Sequence, residues 1–356
     1  GYYADKLKES DANSYETQLA LLKIEYKAGD EAEVLRCIDR EKAYLKIEEV
    51  LSELDTKSAA KWLQACFSEI SALLQRGIYA GALRWIEICA KYQFSGRKAL
   101  LESLLTICQN SASMRSSECF EAVLAYVADG NSSIYSEKAK AFADTALKAK
   151  EFDAAKLYYG KALSVKPDSI SAAQGKFFAD IRCSNEKELP ATIVNLTDWS
   201  CFEEVLIVQT NDADDLKWIE KLADACMENI RRKGQSANEN VFNVFEKLLS
   251  YIPEASEAVL LQLLKGAAEL SLQEGLFVQS QKYYEMYISE DAEDSGIYWG
   301  LLQAKLKCRS EEELVRQPQP IGQFTEFENA QICAADDKEV LNHYIDLRDR
   351  QNKHIR

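Results

Sequence analysis

The chain has 356 residues, 47% of them hydrophobic, with five prolines, fourteen glycines and a formal net charge of −15. The length suffices for a large buried core, and a chain dominated by Ala, Leu, Glu and Lys has the composition of a helical protein. The acidity argues against a general nucleic-acid surface, which needs clustered Lys and Arg, and disfavours electrostatic docking on an anionic membrane.

The chain opens Gly1-Tyr2-Tyr3-Ala4-Asp5, neither a methionine nor a signal peptide; if Gly1 is a cleavage scar, the natural N-terminus is expected upstream. Helical periodicity then runs nearly end to end. Leu19, Leu22 and Tyr26, followed by Gly29-Asp30, read as a helix with a tight stop. Val34, Ile38, Ala43, Leu45, Val50, Leu51 and Leu54 continue with apolar residues three and four apart. Trp62, Ala65, Cys66, Glu69, Ile70, Leu73 and Leu74 form a third stripe, ended by Arg76-Gly77. Residues 10–13, 55–58, 129–133 and 231–236 read as connections. The nearest approach to a strand, Val205–Val208, is short, and its repeat at Ala330–Cys333 is not strand-like. No apolar stretch approaches the roughly 20 residues of a membrane span.

Beyond residue 110 the sequence copies itself. Shifted by 125, residues 111–219 fall on 236–344 without a gap, and about 24 of the 109 aligned pairs are identical. Phe152, Tyr158 and Tyr159 land on Phe277, Tyr283 and Tyr284; Gly175, Ala179 and Cys183 land on Gly300, Ala304 and Cys308. A tandem copy of this length, longer than one helical pair, predicts a stack of repeats in which each unit touches its neighbours. The chain is expected to divide into N-terminal helical repeats (1–110), a first copy (111–235) and a second copy with a C-terminal cap (236–356), as one continuous solenoid.

Residues 137–168 are the best-defined unit. Phe152 opens its second helix, Ala155 and Ala162 are small contacts, Tyr159 is an aromatic knob and Pro167 ends it, while Ala143 supplies the small position of the first helix. This pattern resembles the tetratricopeptide repeat, a helix–turn–helix of about 34 residues. The family's bulky first-helix positions hold Ala139, Phe142 and Ala146 instead. Degraded relatives carry Tyr79, Ala82, Ile86 and Cys89, and Gly275, Phe277, Ser280, Tyr284 and Tyr287. The resemblance implies an all-α, right-handed α-solenoid of such helix pairs. A second recurring element places phenylalanines at 120, 202, 245 and 327, each followed by glutamate, and predicts core aromatics, with Leu124 and Leu249 completing the buried face. Irregular stretches precede the later of these helices in each copy, from Glu186 to Trp199 before Phe202 and from Glu311 to Phe324 before Phe327, the second interrupted by Pro318 and Pro320.

Chemistry is sparse. His343 and His354 are the only histidines, so histidine acid–base work across the body of the chain is excluded. No phosphate-cradling, dinucleotide, nucleophile-elbow or zinc-protease motif occurs. The ten cysteines are scattered, the nearest pair being Cys108 and Cys119, so neither a zinc site nor a disulfide framework is expected. They read as small hydrophobes in a reducing compartment, most of them buried. No cofactor and no metal are expected, and the localisation expected is cytoplasmic, or a cytosolic-facing domain of a longer protein.

What such a shape does is bind. The groove-facing candidates on the first helix of the best-defined pair are Glu137, Lys140, Asp144 and Lys148; their repeats are Gln262, Lys265, Glu269 and Gln273. Lys140 and Lys265 stand where some members of the resembled family bind a peptide carboxylate, but Asp144 and Glu269 stand where those members use asparagine. The expectation is a non-enzymatic scaffold binding a protein or peptide, with no nucleic acid and no membrane span. The alternative is a ligand- or peptide-sensing regulatory domain whose output domain lies outside this chain. An enclosed polar pocket favours the sensor, and an open groove favours the scaffold.

Overall fold

A computed structural model describes residues 13–209 and 211–355; of the expected connections, most of residues 10–13 lies outside these. No strand occurs among the described residues, and Val205–Val208 is helical. The chain packs as two compact units divided between Ser184 and Asn185.

In the first unit the helices are α1 (Tyr15–Tyr26), α2 (Glu31–Glu41), α3 (Tyr44–Glu53), α4 (Thr56–Gln75), α5 (Tyr79–Cys89), α6 (Arg97–Asn110), α7 (Ser117–Ala128), α8 (Ser132–Lys148), α9 (Phe152–Val165) and α10 (Ile170–Asp180). Four of them, α1, α2, α4 and α8, start at a capping side chain. Asp30 accepts from the Glu33 amide (2.7 Å), Asp55 from Lys57 and Ser58 (2.8 and 2.9 Å) and Asn131 from Ile134 (3.1 Å), each satisfying amides the helix itself leaves open. Several of their ends use left-handed residues. The first stop is Lys27 (φ 52°) rather than Gly29, and Asp30 belongs to the next helix as its cap. Lys42 (φ 58°) breaks the second stripe into α2 and α3, which shifts the helical phase and leaves Leu45 71% exposed instead of buried. The third stripe holds: Trp62, Cys66, Ile70, Leu73 and Leu74 are all buried on α4.

The pair α8–α9 packs as the repeat pattern predicts. Ala143, Ala155 and Ala162 are fully buried, Tyr159 nearly so, and the unusual Ala139, Phe142 and Ala146 of α8 all lie in the core. Phe142 fills space beside Phe120 and Tyr158, with ring centroids 4.3 and 4.4 Å away. Burying such side chains stabilises by about 1.5–3 kcal/mol each.

The second unit contains α11 (Leu189–Thr192), α12 (Ser200–Val208), α13 (Asp212–Lys233), α14 (Glu239–Leu249), α15 (Glu257–Gln273), α16 (Phe277–Glu290), α17 (Ser295–Lys305), α18 (Glu311–Val315), α19 (Thr325–Cys333) and α20 (Lys338–Ile355). Helix boundaries recur at the sequence offset: α8, α9, α10 and α12 each begin and end 125 residues before α15, α16, α17 and α19. Phe120, Phe202, Phe245 and Phe327 are buried, as are Leu124 and Leu249. The expected connection at 231–236 is shorter than its composition suggests, because α13 runs on to Lys233 before a 3₁₀ turn over Gly234–Ser236.

Each irregular stretch of the second unit is pinned by side-chain amides from later helices. Asn229 of α13 donates to the Pro190 carbonyl (2.6 Å), and Asn240 of α14 donates to that of Val194. Gln351 of α20, fully buried, accepts from the Ile321 amide (2.8 Å) and donates to the carbonyls of Gln319 (2.8 Å), Gln317 (3.1 Å) and Leu314 (3.4 Å). Prolines have removed donors from this loop, so its remaining polar backbone is satisfied from outside.

The copies differ at one buried hydroxyl. Tyr158 donates to the Ser117 carbonyl (2.9 Å), whereas the Tyr283 hydroxyl has no hydrogen-bond partner among the described residues. Phe242 stands where Ser117 stood in the repeat. Tyr158→Phe is expected to cost about 1 kcal/mol, and Tyr283→Phe to be neutral or stabilising, since it removes a buried polar group that gains nothing. Denaturant midpoints of the two variants check this; equal losses would refute it.

All ten cysteines are free thiols, nine of them buried, so the expectation of mostly buried thiols holds. Burial pushes Cys108 up to about 12 and Cys119 up to about 11, far from thiolate at neutral pH. Only Cys333 is half-buried; desolvation, with Glu293, Asp294 and Asp291 adding to it, raises its thiol as well. Under native conditions a thiol-reactive dye is expected to label Cys333 alone, slowly, and all ten sites after denaturation. Peptide mass mapping reads the result, and rapid native labelling of α4–α7 cysteines would contradict the packing.

Candidate binding surfaces

The candidate groove residues lie on one face of α8 and one face of α15, spaced by three and four residues. On α8, Glu137 and Lys148 are exposed, while Lys140 and Asp144 are half-buried and meet each other (Nζ to Oδ2, 2.8 Å). Asp144 also accepts from the Tyr159 hydroxyl of α9 at 2.6 Å. Burial, reinforced by that carboxylate, raises the Tyr159 hydroxyl far above its ordinary range, so it remains a donor.

On α15, Gln262, Glu269 and Gln273 are exposed, and Lys265 is half-buried. Its partner is not the helix neighbour Glu269 but Asp294, 2.8 Å away, which also caps α17 through the Gly296 amide (2.8 Å). The hydrogen bond from Lys265 to Asp294 raises the pKa of the ammonium above its ordinary value. A groove-facing lysine is expected to be exposed. Each of these two instead lays its stem along the helix pair and its head on a carboxylate, the usual economy of a long amphipathic side chain. Exposed or half-exposed pairs of this kind contribute roughly 0–1 kcal/mol, so neither lysine is fixed by a large energy.

The recesses outside these faces include two with charged rims. One of about 650 Å³ opens beside α3 and α5, with Leu45 and Ile88 among its lining. Its rim charges are already matched, Arg84 with Glu87 (3.1 Å) and Lys91 with Glu48 (3.5 Å). The other, about 620 Å³, opens beside α17, α18 and α20 and is lined by Trp299, Glu311, Asp337, Glu339, His343 and Tyr344, among others. The rings of Trp299 and Tyr344 stack at 4.5 Å. Glu311 accepts from Trp299 Nε1 (3.1 Å) and lies 3.0 Å from His343 Nε2. Asp337 accepts from the amides of Glu339 (3.1 Å) and Val340 (3.2 Å) and so caps α20. No Lys or Arg is among its lining residues.

The second recess escaped the sequence reading because its residues come from three separate segments. The available signal was the pairing of Trp299 with Tyr344 on buried stripes that also carry acids. His354 is exposed and takes no part. No group of three or more His, Cys, Asp or Glu side chains among the described residues is placed to hold a metal ion, and no helix among them is long and apolar enough to cross a membrane.

No family model and no curated protein matches this chain. Among solved structures it is similar to a circular tandem repeat protein with a novel repeat topology and enhanced subunit contact surfaces, at 14% identity over 96% of this chain and 88% of that one, with a TM-score of 0.26. It is also similar to the TPR domain of P58(IPK), at 15% identity over 95% and 98% of the two chains, with a TM-score of 0.25. The assignment of stacked helix pairs rests on the helices of this chain and not on these matches.

Proposed function

We propose that this chain is a non-enzymatic protein-interaction scaffold that binds a protein or peptide through the polar faces of its first-of-pair helices, α8 and α15. The observation that carries this reading is the repeated half-buried lysine, Lys140 and Lys265, retained at the same offset and held by a different acid in each copy. A packing role would favour keeping the partner along with the lysine; here the ammonium is retained and its partner is not. The recesses are open rather than enclosed, which supports a scaffold over a small-ligand sensor.

Selection of a random peptide library on the immobilised chain tests this, followed by titration of recovered peptides. Replacing both lysines with Ala is expected to weaken those peptides at least about fivefold while moving stability by no more than roughly 0.5 kcal/mol per site. Recovered peptides that bind the double variant as they bind the parent would refute the assignment of these faces.

A further inference from the structure

We propose that the recess beside α17, α18 and α20 docks a basic peptide segment, entered by a lysine or arginine side chain. It is a second surface, distinct from the faces of α8 and α15, and it rests on a comparison within the chain.

At the 125-residue offset, Glu311, Asp337 and Glu339 correspond to Glu186, Asp212 and Asp214. In the earlier copy the chain supplies its own cations to two of these acids, Glu186 and Asp214. Lys221 of α13 pairs with Glu186 and lies 5.5 Å from the centre of the Trp218 ring, and Lys217 lies 3.3 Å from Asp214. An ammonium between a carboxylate and an aromatic face is thus built into that copy. In the later copy both cations are gone: Asn342 replaces Lys217 and Asp346 replaces Lys221. The acids stay; His343 stands where Trp218 stood, and Trp299 and Tyr344 stand in place of Gln174 and Ile219, so the aromatic face is rebuilt from other positions. An open recess of about 620 Å³ results, without a Lys or Arg among its lining residues.

Physical chemistry selects the occupant. Carboxylates beside a low-dielectric aromatic floor concentrate negative potential, which repels nucleic acid and anionic lipid and draws in a cation. A bare metal ion lacks its ligand set here. A lysine or arginine side chain matches both parts, placing its head among the acids and its stem against Trp299 and Val340. His343, the one lining group able to become cationic, is half-exposed and balances Glu311 only when protonated.

The experiment is fluorescence anisotropy with a fluorescein-labelled hexapeptide of alternating lysine and leucine, titrated with the full chain at low and at moderate salt. The expected result is saturable binding that weakens at least about tenfold in Asn342→Lys/Asp346→Lys, which restores the earlier copy's cations, with a smaller salt dependence. A charge-matched variant, Glu254→Gln/Glu285→Lys, alters exposed acids elsewhere and is expected to stay within about twofold of the parent. Glu339→Lys, at an exposed position, serves as a second recess variant should the double change disturb folding as read by circular dichroism. Three results overturn the proposal: no binding by the parent, parent-like binding by the folded recess variants, or an equal loss in the charge-matched variant. None of these bears on the lysines of α8 and α15.

Discussion

Gln351→Leu is expected to destabilise the second unit by about 3 kcal/mol, because it strands the Ile321 amide and the carbonyls that Gln351 now serves. The replacement is nearly the same size and adds apolar area, so burial alone would predict a neutral or favourable change. Gln351 is fully buried, and water does not reach the groups it leaves behind without opening the α18–α20 packing around Leu314, Ile321 and Leu347. Hydrogen exchange is the sharper measurement. Residues 314–323 are expected to lose protection well before the rest of the unit. Gln351→Glu keeps an acceptor for Ile321 but turns a buried carboxyl toward three carbonyls, so it should cost at least as much as Gln351→Leu at neutral pH and less as the carboxyl takes up a proton in acid. A parent-like midpoint for Gln351→Leu would mean that the loop holds itself.

Gly175→Ala and Gly300→Ala are each expected to cost about 3 kcal/mol, at the upper end of overpacking. A Cβ at either position would lie 2.3 Å from the ring Cζ of Tyr159 or Tyr284, well inside contact distance. These rings have little room to yield; Tyr159 is also held by its hydrogen bond to Asp144 (2.6 Å). Gly160 provides the contrast. It lies inside α9, a Cβ there meets nothing within 4 Å, and Gly160→Ala is expected to gain about 0.5–1 kcal/mol. Releasing the tether should couple to the clash, so Tyr159→Phe should cost less in the Gly175→Ala background than in the parent. Chemical denaturation followed by two probes tests all of these; a neutral Gly175→Ala would show that the helices separate freely at this contact.

The helix pairs and their core were legible because burial imposes a period of 3.6 residues, which Trp62–Leu74 and the Phe-Glu helices carry plainly. Legibility failed where a single backbone residue resets the phase, as Lys42 does before Leu45. It failed again for polar side chains whose partners are distant in sequence. Nothing near Gln351 announces a loop more than thirty residues upstream, and nothing near Lys265 distinguishes Asp294 from the closer Glu269. The acidic recess needed both at once: residues from three segments, and knowledge of which lysines neutralise the corresponding acids in the earlier copy.

The sequestered thiols have a consequence for the lifetime of the protein. While the helices are packed, nine of the ten cysteines are buried away from solvent. A single excursion to the open chain presents all ten together, and exchange among so many candidates overwhelmingly produces pairings that the folded contacts do not permit. In air, unfolding therefore becomes a one-way exit. Survival is then governed by how often the chain opens rather than by the equilibrium constant, and storage with a reductant should extend the useful half-life without changing the melting temperature measured on a fresh sample.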